Sequence, residues 1–69
     1  MERTTIELLS GTTLHRLDDG EGRVYGHFEL LPGGMARVWR QTWMDEYRPT
    51  DTILPGPISA MRAIRTGAV

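Results

Sequence analysis

Turn-forming residues recur about every ten positions along this chain, so no segment has room for more than a short element. The breaks fall at Ser10-Gly11, Asp18-Asp19-Gly20-Glu21-Gly22, Pro32-Gly33-Gly34, Arg48-Pro49-Thr50-Asp51 and Leu54-Pro55-Gly56-Pro57. Such spacing predicts short strands joined as a meander. Thr4 to Leu9 is one candidate strand, with Ile6 and Leu8 on one face, and Thr12 to Leu17 is another. Arg23 to Leu31 is the clearest. It places Val24, Gly26, Phe28 and Leu30 on one face and Tyr25, His27, Glu29 and Leu31 on the other. Gly26 weakens this strand and marks a bulge or a close contact.

The segment from Met35 to Tyr47 admits two readings. As a helix it aligns Met35, Val38, Trp39, Thr42 and Trp43 on one stripe. As a strand it draws on the β preference of Val, Trp and Thr. Pairing discriminates between them. If Pro32-Gly33-Gly34 is a three-residue hairpin loop with Gly34 left-handed, residues symmetric about Gly33 face each other. Leu30 then meets Ala36, Phe28 meets Val38, Val24 meets Thr42, and Glu29 meets Arg37 as an opposite-charge pair. Two apolar matches and a charge match in one register favour the hairpin. The acidic turn allows two registers. A loop centred on Glu21 pairs Asp19 with Arg23, Leu17 with Tyr25 and His15 with His27, whereas a two-residue loop at Gly20-Glu21 pairs Leu17 with Val24. A slip of one residue reverses every side chain, so the facing of His15 stays open.

At the C-terminal end, Pro57 suits a first helical turn and Gly67 the position just past a last one. Between them Ile58, Met61 and Ile64 fall on one side, with Arg62 and Arg65 away from it. A helix this short is marginal alone and must dock. The expected fold is therefore α+β: a single small domain over residues 1–69, with an antiparallel meander of three to four strands and a short C-terminal helix.

Size and composition narrow the function classes. A chain of 69 residues buries only about 60% of its unfolded surface, and without cysteine it has no disulfides to compensate. A homodimer is one way to bury more. The net charge of −1 supplies no bulk field for nucleic acid or an anionic membrane. No apolar run approaches the roughly 18 residues of a membrane span, and the first residues are polar, so a soluble cytoplasmic protein with no membrane partner is expected. All basic residues are arginine, which suits GC-rich coding such as that of a bacterial phage or mobile element.

No catalytic motif is present. Ser10 and Ser59 lie in no nucleophile motif, and Pro32-Gly33-Gly34 lacks the Lys and Ser/Thr of a phosphate loop. The Asp18 to Gly22 run lacks the alternating carboxylates and distant glutamate of a calcium loop. His15 and His27, even with Glu29 near, make no dependable metal set. The expectation is a non-enzymatic protein with no cofactor or metal.

What remains is an aromatic and arginine-rich face. The hairpin register puts Arg23, Tyr25, Arg37, Trp39 and Trp43 opposite the apolar face, a composition typical of interface hot spots. Arg40 is nearby but points to the other face in that register. Trp39, Trp43, Tyr25, Arg37, Arg23 and Arg40 are thus the candidate partner-binding residues of an inhibitor, regulator or adaptor. The competing expectation is that the helix or a dimer mate covers the tryptophans. Two alternatives from other classes use the same surface: stacking and phosphate contacts to nucleic acid, or a structural homo-oligomer.

Overall fold

A computed structural model describes residues 2–69. Five strands follow in order: β1 (Glu2–Glu7), β2 (Thr13–Asp18), β3 (Val24–Leu30), β4 (Ala36–Gln41) and β5 (Tyr47–Leu54). One helix, α1 (Pro57–Thr66), closes the fold. The strands form a single antiparallel sheet in sequence order. The α+β meander is as expected, but it has five strands, not three to four.

The additional strand comes from β5. Arg48-Pro49-Thr50-Asp51 reads as a turn, yet it is strand, with Pro49 opposite Trp39. Proline lacks the N–H that an inner strand needs, but β5 is an edge. The real turn lies earlier, at Trp43-Met44-Asp45, and contains no Gly or Pro. Asp45 takes the left-handed position itself, with φ 60, a conformation that a short polar side chain tolerates.

The β3–β4 hairpin forms in the expected register: Leu30 faces Ala36, Glu29 faces Arg37, Phe28 faces Val38 and His27 faces Trp39. Leu31 N–H donates to Met35 O at 2.7 Å across the loop. Gly33 and Gly34 both have φ 86, a region closed to most side chains. The ladder does not extend to Val24 and Thr42: it stops at His27–Trp39, beside the bulge in β3, and the last residues of β4 pair only with β5. Met35 to Tyr47 is thus strand, turn and strand start, not helix.

The β2–β3 ladder follows neither expected register along its length. Near the turn, Asp19 N–H donates to Arg23 O at 3.1 Å, as a loop centred on Glu21 requires. A bulge then intervenes. Asp18 faces Val24, but Leu17 faces Gly26, so Tyr25 is an extra residue. His15 consequently faces Phe28 and stacks on it, with ring centroids 5.1 Å apart. His27 faces Arg16, so the two histidines lie on opposite sides of the sheet and cannot share a metal.

Helix α1 covers the Phe28 side. Leu17, Phe28, Ala36, Ala60 and Ile64 form the buried cluster, with Tyr25, Leu54 and Met61 packed around it. The docked stripe is Ala60, Met61 and Ile64. Ile58, expected on it, is 68% exposed, while Arg62 and Arg65 face solvent as expected. Past the helix end, Gly67 N–H returns to Ile64 O at 3.2 Å and Ala68 N–H to Ala63 O at 2.9 Å. Among the described residues no helix is long and apolar enough to cross a membrane.

Gly26 sets how near the helix comes. A Cβ placed there would lie 2.7 Å from Ile64 Cγ2. Gly26→Ala is therefore expected to destabilise the fold by about 1–3 kcal/mol. Combined with Ile64→Ala, the loss in urea denaturation should fall short of the sum of the single losses by more than ~0.5 kcal/mol.

Candidate functional site

Among the described residues the face turned away from α1 has no second layer, yet Leu14 and His27 on it are buried, at 0% and 2% exposure. Long side chains lying across the sheet supply part of the cover. Arg16 on β2 reaches over β3: its Nε–H donates to His27 Nε2 at 3.3 Å. Its Nη2 donates to Tyr47 Oη on β5 at 3.0 Å. The Tyr47 ring meets His27 nearly edge-on, with centroids 4.9 Å apart. An Nε2 that accepts carries no proton, so His27 is neutral, with its hydrogen on Nδ1. Burial holds its pKa below the ordinary histidine value, and the Arg16 charge lowers it further.

Two expected site residues belong to this face and are tied down on it. Trp39 is half-buried and donates its Nε1–H to Glu29 Oε1 at 3.0 Å. Arg37 donates from Nη1 to Thr50 O at 2.9 Å. Neither is covered by the helix, which packs on the opposite side. Tyr25 is elsewhere. The bulge turns it toward the helix-side cluster, with the Arg23 guanidinium over its ring at 5.0 Å. Arg40 lies on the helix side, as the register predicts, and is exposed.

Trp43 differs from all of these. It sits at the tip of the β4–β5 loop and is 90% exposed, beside Met44 at 60%. The loop under it is well braced. Thr42 N–H donates to Glu46 O at 2.7 Å and Asp45 N–H to Thr42 O at 3.1 Å. Thr42 Oγ1 accepts from both Met44 N–H and Glu46 N–H at 3.3 Å. An antiparallel meander brings the β2–β3 and β4–β5 loops to the same end of the sheet. Arg23, Tyr25 and Trp43 therefore share one end with Arg40 near it, while Arg37 and Trp39 lie further along the other face.

Met44, Arg16 and Tyr47 escape a sequence reading. Tyr47 has a signal only once Pro49 is accepted within an edge strand, because that pairs Tyr47 with Gln41. The acidic turn is occupied with its own backbone. Asp18 Oδ1 accepts from Gly20 N–H at 2.8 Å, and Asp19 Oδ1 accepts from Glu21 N–H at 2.7 Å. The Glu21 N–H is the main reason the Asp19 carboxyl sits below its usual pKa.

Comparison with protein-family models, curated proteins and solved structures gives no match. The site must be read from its own geometry.

The Arg16–His27–Tyr47 arrangement makes stability pH-dependent. His27 protonates less readily folded than unfolded. Below the unfolded value near 6.5 the unfolded chain therefore binds more protons, and stability falls as pH drops. Melting temperature should decline between pH 7 and pH 5, and His27→Gln should reduce that slope. His15, also held below its ordinary value by burial and then by Arg3, acts in the same direction. Equal slopes in the two proteins would show that His27 is not the responsible group.

Proposed function

We propose that this protein acts by binding another protein, with Trp43 as the anchor and Met44, Arg23 and Arg40 around it. The observation that carries this reading is a tryptophan left 90% exposed on a hydrogen-bonded hairpin tip. An exposed indole loses solvent contact without benefit unless something covers it, and a braced loop lowers the entropy lost on binding. Trp39 and Arg37 have a supporting role, because their polar groups already have internal partners. The mode of action is occupation of a partner surface as an inhibitor, regulator or adaptor, without catalysis. The internal engagement of His27 supports this, since a base shielded by Arg16 and Tyr47 is poorly placed to reach a substrate.

A second reading, contact with nucleic acid, has one observation in its favour: Arg40 and Arg48 face each other on neighbouring strands near the same end. The net charge of −1 weighs against it.

Separate substitutions test the assignment. Trp43→Ala should leave the urea midpoint within about 0.5 kcal/mol of wild type and abolish capture of the partner from a lysate. Trp39→Ala should lower stability by about 1 kcal/mol or more through its lost packing and hydrogen bond. Retained capture by Trp43→Ala, or a salt-dependent gel shift that this variant loses, would move the function away from protein binding. Concentration-dependent sedimentation lost in the same variant would identify the partner as a second copy.

A further inference from the structure

Helix α1 ends before the sheet does. Beyond Ile64, the helix side of β3, β4 and β5 holds an open groove of about 380 Å³, lined by Gly26, Val38, Thr52 and Ile64, with Arg40 among its walls. We propose that this groove binds a small amphiphilic carboxylate. Its apolar stem would lie on Val38 and Ile64, and its carboxylate would sit between Arg40 and Arg48.

The charge arrangement points to the headgroup. Arg40 and Arg48 are direct partners in the β4–β5 ladder and so project from the same side. Like charges in that relation oppose pairing. Arg48 has Glu46 at 3.1 Å, whereas Arg40 has no carboxylate within ion-pair distance among the described residues. An anion bridging the two guanidiniums relieves the repulsion, and the guanidinium fork matches a carboxylate.

The groove points to the stem. Its volume lies within the range of small-molecule sites. Val38 and Ile64 give it an apolar floor. A hydrocarbon or aryl stem laid on it brings no polar group that needs a partner. Trp43 does not line the groove, so this site shares only Arg40 with the surface around Trp43.

The test is an amide NMR titration with octanoate and, in parallel, octanol. Octanoate should move the Gly26, Val38 and Thr52 signals saturably at millimolar concentration, the affinity expected of so small a ligand. Octanol should bind about tenfold more weakly. Arg40→Gln, a change at an exposed side chain, should weaken octanoate about tenfold while leaving the rest of the spectrum in place. Thr52→Phe, which fills the groove, should abolish the shifts; if that variant loses its folded spectrum, the Arg40→Gln comparison decides. The proposal is overturned by the absence of saturable shifts, by octanoate and octanol binding alike, by Arg40→Gln binding within twofold of wild type, or by shifts centred on Trp43.

Discussion

The approach of α1 to β3 at Gly26 governs the helix side of this molecule. The buried set there combines Phe28, Leu17 and Ile64 with the small side chains of Ala36 and Ala60. Small residues let the helix come down close to the sheet, and the missing Cβ at Gly26 makes room for Ile64. The result is a two-layer body only 18 Å thick in its shortest dimension. In so small a core each contact carries a large share of the total, because few others exist to compensate.

The bulge at Tyr25 decides which residues share that core. Without the extra residue, the Asp19–Arg23 register would continue, and Leu17 would face Tyr25 on the side away from the helix. With it, Leu17 faces Gly26 beneath α1 and Leu14 moves to the opposite face. Both leucines end up buried, on different sides. The same bulge removes Tyr25 from the aromatic face and sets it beside the helix-side cluster, with Arg23 over its ring.

The helix-free face meets its need for cover in another way. Arg16 and Tyr47 join across the sheet over His27, Trp39 bonds Glu29, and Arg37 bonds the β5 backbone. Side chains used internally in this way have less to offer a partner. The two tryptophans, four positions apart and alike in any pattern of strand alternation, therefore part company. Trp39 stabilises the sheet and Trp43 stands free, because β4 ends between them and Asp45 takes the left-handed turn position.

The β3–β4 hairpin was legible from the chain itself, as was the docked helix bounded by Pro57 and Gly67. Both rest on local chemistry: a glycine pair for the turn, matched cross-strand neighbours close in sequence, and a proline start with a glycine stop. Part of the candidate site was legible too, since Trp43, Arg23 and Arg40 are exposed at or near one end of the sheet. The fifth strand was not, because Pro49 looks like a turn residue until an edge position makes its missing N–H harmless. The turn at Trp43-Met44-Asp45 was hidden because no glycine or proline announces it. The faces of Leu14, Leu17, His15 and Tyr25 depended on a one-residue bulge that local pairing rules leave free. Sequence by itself thus determined the elements whose contacts are close along the chain. Tertiary structure decided the strand count, the bulge and the division of the aromatics, because those follow from edge position and from how a separate helix packs onto the sheet.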